Sequence, residues 1–302
     1  MADTEIMPLP HRHLGMLYGL HAGDALGATL EFCEPNDHPD THREMLGGGH
    51  FNWSPGAATD DTDLMLCVLS ELAEGNRFDT ESLARRFVKW LATGPVDVGA
   101  TTRRAIVRMK AGVPSTNTGA SDEYSQGNGS LMRCAPLALL ETDERSLGVV
   151  IDQQASMTHA HRTCITSDYL LVMAIRDAFC GAHKNAIYLN TLNRSRVRSA
   201  EIHARLEALP DIPWHELSCS GYVIDTLCAA FWALMHASSF EESLIKVVNR
   251  GMDADTCGAV TGALCGAYYG LERMPKRWLQ ALEKAEEIQR LYLLIRARKN
   301  GQ

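Results

Sequence analysis

Apolar residues recur three and four apart along most of this chain, and almost nowhere do they alternate with polar ones. That period belongs to helices that bury one face, and no stretch combines β-branched alternation with turn chemistry at both ends. Residues 12–30 carry Leu14, Leu17, Tyr18, Ala22, Ala25 and Leu26 in this spacing, and 60–74 continue it through Leu64, Met65, Cys67, Val68 and Leu72. A third helix is expected over Thr80–Leu91, stopped by Thr93-Gly94-Pro95. Further helices are expected near 100–111, 131–140, 146–157, 164–180, 221–236, 240–249, 256–269 and 276–297. Residues 113–130 are polar and rich in Gly and Ser, a long loop of the kind that tends to be functional. With no internal repeat and no break in composition, the expectation is one all-α domain of about ten helices spanning residues 1–302, its core about 12–297.

The composition narrows the function. A net charge of -8 disfavours nucleic acid and anionic membranes as partners. Nine cysteines, with no CxxC pair and several in apolar runs (Cys67, Cys180, Cys228, Cys265), suit reduced thiols rather than a secreted disulfide framework. The first residues carry acids and prolines where a secretory leader needs a basic start and an apolar run. The longest apolar stretch, Thr256 to Leu271, is Gly/Ala-rich and about three-quarters of a membrane span, so it reads as a buried helix. A cytoplasmic protein with no integral membrane segment is expected.

Two acidic clusters stand out. Thr59-Asp60-Asp61-Thr62-Asp63 opens the apolar run Leu64–Leu69, and Asp253-Ala254-Asp255-Thr256 opens the run Cys257–Leu264. A helix apolar on all sides is buried, so each first turn should face a cleft between helices. Capping explains one Asp or Thr at such a position. It does not explain several carboxylates, which repel one another when buried unless a cation neutralises them. Ligands that are all oxygen, without Cys or His, select hard ions such as Mg²⁺ or Mn²⁺, and clusters that face each other could hold two of them.

These residues resemble a known family. Gly23-Asp24-Ala25-Leu26-Gly27 with Glu31 is similar to the opening motif of the ADP-ribosylglycohydrolases. Thr59–Thr62 and Gly251–Thr256 resemble that family's two metal motifs, and Gly127-Asn128-Gly129-Ser130-Leu131-Met132-Arg133 its glycine-rich substrate loop. The matches fall in family order from residue 15 to about 280. Pro95–Gly99 and Thr158-His159-Ala160-His161 look most like the bacterial branch acting on ADP-ribosylated arginine of dinitrogenase reductase. The resemblance implies a compact all-α fold and a binuclear site holding two divalent cations, Mn²⁺ or Mg²⁺. It implies Thr59, Asp60, Asp61, Asp253, Asp255 and Thr256 as ligands, Asp97 and Glu31 as catalytic acids, and Gly127, Asn128, Gly129, Ser130, Met132 and His159 as substrate contacts. Met252 departs from the pattern, where the family commonly has a second glycine, and residues 181–220 match nothing in it.

Without the resemblance, Asp97 is an ordinary turn residue after Gly94-Pro95 and Glu31 a solvated helix end. Gly127, Gly129 and Ser130 can turn backbone N–H groups toward a diphosphate, helped by the N-terminus of a helix after them. Arg133 could add a charge there, although an arginine in a helix more often makes a local ion pair. His159 and His161 are two apart, which does not suit a helical zinc pair.

The function expected is hydrolysis of the N-glycosidic bond between ribose and a modified protein arginine. Asp97 would manage the proton, with or without a ring-opened intermediate. By resemblance the partner is ADP-ribosylated dinitrogenase reductase, with a nitrogen-signalling regulatory protein as a second. Two rivals are a two-metal hydrolase of another ADP-ribose linkage, to serine or a small metabolite, and a non-catalytic ADP-ribose binder.

Overall fold

Glycines at every fourth position of the first helix decide the architecture. In the computed structural model, which describes residues 9–35, 41–75 and 77–300 (the last two by backbone alone), α1 (Leu9–Gly27) runs antiparallel to α11 (Ala254–Tyr269). A Cβ at Gly15 would stand 2.3 Å from the carbonyl oxygen of Gly266. At Gly19 it would be 2.2 Å from that of Gly262, at Gly23 1.9 Å from Gly258, and at Gly27 2.2 Å from Ala254. No real Cβ tolerates such distances, so the two backbones touch along four successive turns. Both helices are buried on nearly all sides, which is why their sequences show no polar stripe.

The other helices wrap this pair. They are α2 (Asp60–Glu74), α3 (Thr80–Leu91), α4 (Ala100–Lys110), α5 (Glu144–Ser156), α6 (Arg162–Phe179), α7 (Lys184–Arg196), α8 (Ala200–Ala208), α9 (Val223–His236), α10 (Phe240–Val248), α12 (Lys276–Ala281) and α13 (Ala285–Asn300). Helices α9 and α10 pack on α11, while α13 and α3 flank α2. Among the described residues there is no strand, only three isolated bridges, and the all-α expectation holds. No helix among them is long and apolar enough to cross a membrane. Residues 1–8, where a leader was judged absent, lie outside the described residues.

Three boundaries differ from the sequence reading. Residues 131–140 do not form an α-helix but two short 3-10 turns, Leu131–Arg133 and Ala135–Leu139, because Pro136 lacks the N–H that an α-helix would need there. The long run 276–297 is two helices with a bend at residues 282–284. The unplaced segment 181–220 contributes α7 and α8, whose sparse apolar positions (Ile187, Ile202, Leu206) give a weak periodic signal.

Candidate active site

The α1–α11 register sets the site. It brings the C-terminal end of α1 beside the first turn of α11, and Asp24 on α1 then fixes the first turn of α2. Asp24 is fully buried and accepts from the backbone N–H of Thr59 (3.1 Å), the N–H of Thr62 (3.2 Å) and the Thr62 hydroxyl (2.5 Å). An acid on one helix thus satisfies free N–H groups at the start of another, where the helix dipole favours negative charge. Burial still pushes its pKa up to about 7. Thr59 also caps α2 itself, its hydroxyl accepting from the Asp61 N–H at 3.2 Å.

The two acidic clusters meet. The Thr256 hydroxyl donates to Asp61 Oδ2 at 3.1 Å, joining residues 195 apart in sequence. Asp60 and Asp97 lie close enough for their carboxyls to perturb each other's protonation, and the Gly99 N–H donates to Asp60 Oδ2 at 3.3 Å. Asn128 from the glycine-rich loop donates to Asp253 Oδ2 at 2.6 Å and to the Thr226 hydroxyl at 2.9 Å. Asp63, the third acid of its cluster, turns away and accepts from the Trp90 indole at 2.9 Å. Its place in the run is structural.

Glu31 is not a solvated helix end. It is 5% exposed, and its carboxylate lies within 4.8 Å of those of Asp97 and Asp255, a group that could hold a metal ion. The segment carrying it is tied to the turn before α11 by two backbone bonds: the Phe32 N–H donates to the Met252 carbonyl at 2.6 Å, and the Met252 N–H to that of Cys33 at 2.8 Å. Phe32 and Met252 both adopt left-handed backbone, with φ of 62° and 57°. A glycine would be at ease at residue 252, so Met252 is accommodated there at a cost in backbone strain.

The electrostatics of this cluster are one-sided. Burial raises the pKa values of Asp60, Asp61, Asp97, Asp253 and Asp255, and their mutual repulsion raises most of them further. Burial first, and then Asp97, Asp253 and Asp24, push Glu31 up to about 8. The one Lys or Arg among the described residues lining the cavity is the exposed Arg103. Glu31 Oε2, Asp61 Oδ1 and Asp255 Oδ1 are buried with no hydrogen-bond partner. Buried carboxylate oxygens without a partner are costly, and a hard divalent cation supplies what this all-oxygen set lacks. The residues present therefore fit bound cations.

Above the acids opens a cavity of about 920 Å³. One wall carries Asp60, Asp97, Glu31, Asp253, Asp255 and Thr256, and another Gly127, Asn128, Gly129, Met132 and His159, while Phe32, Phe51, Val96 and Met252 stand at the cavity lining as apolar groups. Thr59 and Asp61 lie beneath this surface, 1% and 0% exposed. Ser130 faces inward, its hydroxyl donating to buried Asp168 at 3.1 Å, so only its backbone is placed to contribute to the loop. Arg133 forms no ion pair at the cavity. It is fully buried under the loop, donating to the Gly129 carbonyl at 2.8 Å and to Gln154 Oε1 at 2.9 Å, with its guanidinium over the Phe87 ring. The helix expected to follow the loop is absent, so no helix N-terminus faces the cavity from residue 131. His161 caps α6, its Nδ1 accepting from the Thr163 N–H at 3.2 Å.

Sequence reasoning missed Thr102, a buried residue of the cavity wall. A Cβ at Gly129 would lie 2.8 Å from the Thr102 hydroxyl and 2.7 Å from the His159 ring, so only glycine lets the loop pass between them. No pattern in the sequence marks Thr102. The pairing of Gly127 and Gly129 with a crowded wall could have been suspected from the glycines themselves.

An all-α scaffold with converging carboxylates at the floor of a ligand-sized cleft is an arrangement suited to cation-assisted hydrolysis. The chain belongs to the ADP-ribosylglycohydrolase family, whose profile matches residues 7–302. It is 35% identical over 281 residues to the ADP-ribosyl-[dinitrogen reductase] glycohydrolase of Rhodospirillum rubrum, covering 91% of this chain and 92% of that one. It is 32% identical over 289 residues to the ADP-ribosylarginine hydrolase Tri1 of Pseudomonas putida (strain GB-1), covering 93% of this chain and 76% of the relative. A solved structure, titled an ADP-ribosylglycohydrolase-related protein complex, superimposes with a TM-score of 0.81 at 38% identity, covering 95% of this chain and 97% of that one. The protein is thus an enzyme of the glycohydrolase class.

Proposed function

We propose that this enzyme releases ADP-ribose from a modified arginine on a protein by hydrolysing the N-glycosidic bond, with ADP-ribosylated dinitrogenase reductase as its substrate. The observation that carries the reading is the convergence of Glu31, Asp97 and Asp255 with the Asp61–Thr256 contact at the floor of one cleft. Two relatives whose names specify that chemistry, dinitrogen reductase in one and ADP-ribosylarginine in the other, support the choice of linkage. A nitrogen-signalling regulatory protein is proposed as a second partner, and the cytoplasm as the place where both would be met.

Asp60, Asp61, Asp253 and Asp255, with Thr59 and Thr256, would hold two divalent cations, Mn²⁺ or Mg²⁺. Glu31 and Asp97 stand close enough to join that set at its cavity side. When bound, such cations act as Lewis acids toward substrate oxygens and water. Asp97 is the residue we assign to proton transfer. Its pKa is raised by burial, so it exchanges a proton nearer neutral pH than a free aspartate does. It takes a proton from the attacking water as the ribose–nitrogen bond breaks and the bonding pair leaves with the guanidine. Asn128 holds Asp253 in place, while Gly127 and Gly129 line the wall where a diphosphate would lie and Ser130 is buried behind it. Met132 and His159 complete that wall.

The test is ADP-ribose release from arginine-modified and serine-modified proteins, each with and without Mn²⁺, beside the double variant Asp60→Ala/Asp255→Ala. Release from arginine alone, lost without cation or without the aspartates, is the expected result. Release from serine alone would move the enzyme to a different linkage. An Asp97→Asn enzyme that bound ADP-ribose and kept full turnover would remove Asp97 from proton transfer.

A further inference from the structure

His159 sits in the cavity wall with only one of its ring nitrogens satisfied by protein. Its Nδ1 lies 2.8 Å from the Thr158 hydroxyl, and among the described residues its Nε2 has no hydrogen-bond partner. The Thr158 hydroxyl is itself committed. Arg133 Nη2 donates to it at 2.7 Å, and a guanidinium can only donate, so that contact uses a lone pair of the hydroxyl oxygen. The hydroxyl hydrogen has no acceptor among the described residues other than His159 Nδ1. Run from Thr158 to the imidazole, the bond gives that buried hydrogen its acceptor, and Nδ1 is then the unprotonated nitrogen.

Arg133 is held rigidly enough to enforce this. Besides Thr158 it donates through Nε to Gln154 Oε1 at 2.9 Å, through Nη1 to the Gly129 carbonyl at 2.8 Å, and through Nη2 to the Gln154 carbonyl at 3.3 Å. Gln154 Nε2 in turn donates to Asp168 Oδ2 at 3.4 Å. All of these groups are fully buried, so no water competes for the Thr158 oxygen.

We propose that Arg133 and Thr158 are positioning residues that lock His159 as the Nε2–H tautomer, so that the wall beside Gly127 and Gly129 presents one uncharged donor to the ligand. A Cβ at Gly127 would lie 3.5 Å from His159 Nε2, which puts that nitrogen alongside the glycine-rich loop. The ring stays neutral, because burial and the neighbouring Arg133 hold its pKa down at about 3. A neutral donor suits a phosphate or ribose oxygen and, unlike an imidazolium, does not change with pH across the working range. It also leaves the Arg133 charge beneath the loop, where it orients the Gly129 carbonyl away from the ligand. The ligand class rests on the ADP-ribose reading above; the tautomer rests on the hydrogen bonds alone.

The experiment is a two-bond ¹H–¹⁵N correlation spectrum of ¹⁵N-histidine-labelled full-length enzyme, with His159 assigned by difference from His159→Gln. The expected pattern is a protonated Nε2 and an unprotonated Nδ1, unchanged between pH 5 and pH 8. Thr158→Val should blur this into a tautomer mixture and weaken ADP-ribose binding, read by calorimetry, about tenfold. Thr158→Ser should restore both, which a merely structural defect would not predict. A proton on Nδ1 in the unaltered enzyme overturns the proposal, as does a Thr158→Val enzyme with tautomer and affinity both intact. An Nε2–H tautomer in an enzyme that binds no ADP-ribose upholds the lock and overturns the reading of the ligand.

Discussion

Thr256 at the start of α11 donates its hydroxyl to Asp61 Oδ2 near the start of α2, at 3.1 Å. This bond is the seam between the two acidic clusters. It occupies one oxygen of Asp61 and leaves the other, Oδ1, buried without a partner. A hydroxyl that orients a carboxylate is worth more for the geometry it fixes than for its own strength.

Removing that hydroxyl should loosen cation binding more than it loosens the fold. Thr256→Val is expected to weaken Mn²⁺ binding about 10–100-fold, the usual consequence of losing a hydroxyl that holds or orients a ligand. Calorimetric titration with Mn²⁺ would measure it. Affinity within about twofold of the unaltered enzyme would show that the seam does not support the cation site.

Cation addition should also stabilise the folded chain, because it relieves the repulsion among buried carboxylates. At about 100-fold excess over its dissociation constant, a cation that binds only the folded state adds about 2.7 kcal/mol. The midpoint of thermal unfolding should rise on adding Mn²⁺ and return on adding EDTA. In an Asp61→Asn/Asp255→Asn variant the rise should vanish.

The α1–α11 contact reverses an ordinary substitution rule. An alanine replacing glycine inside a helix normally stabilises by about 0.8–1 kcal/mol. Gly23→Ala would put its Cβ 1.9 Å from the Gly258 carbonyl oxygen. It should instead destabilise by about 2 kcal/mol or more, and displace the acids at the Gly27–Ala254 end of the contact. Urea unfolding would show a clear loss; an unchanged midpoint would mean that α1 and α11 can separate at no cost to the fold.

Met252→Gly should move in the opposite direction. The left-handed φ of 57° strains a methionine and not a glycine. Part of the gain is lost to the freer unfolded chain, so a rise of about 1 kcal/mol in unfolding free energy is expected from urea titration. A loss of stability would assign the Met252 side chain a packing role.

His21 should confer a distinct acid sensitivity. It is fully buried on α1, its Nε2 accepting from the Lys284 N–H at 3.1 Å, and burial lowers its pKa from 6.5 to about 4. The unfolded chain therefore binds a proton at a pH where the folded one does not. This contribution to stability is fully present above pH 6.5 and is lost as pH falls toward 4, by up to about 3 kcal/mol. Buried acids with raised pKa values, such as Asp24, act in the opposite sense in the same range. The comparison to make is with His21→Gln, whose stability should fall less between pH 6.5 and 4; parallel curves would rule out this role.

Much of the site was legible because its chemistry is local. Thr59–Asp61 and Asp253–Thr256 announce themselves as acids and hydroxyls heading helices too apolar to be exposed. The α-helices came from spacing alone, and failed where spacing misleads, at Pro136 and along the sparsely apolar 181–220. Glu31 was placed by resemblance, since a single acid after an apolar helix has no pattern of its own. The repeat Gly15, Gly19, Gly23, Gly27, with Gly258, Gly262 and Gly266 in α11, was a signal that went unread. Glycine every fourth residue on two apolar helices is a signature of backbones in contact.

By itself, then, the sequence determined most of the helical segments, which of them are buried, and which acids stand at their ends, because each depends on residues within a turn or two of one another. Which acids share a floor, that Ser130 and Arg133 turn inward, and which nitrogen of His159 is free were decided only by the tertiary structure. Those outcomes depend on the register of α1 against α11 and on what lies beneath the glycine-rich loop. That register is set by atoms more than two hundred residues apart meeting at van der Waals distance, and no local spacing encodes it.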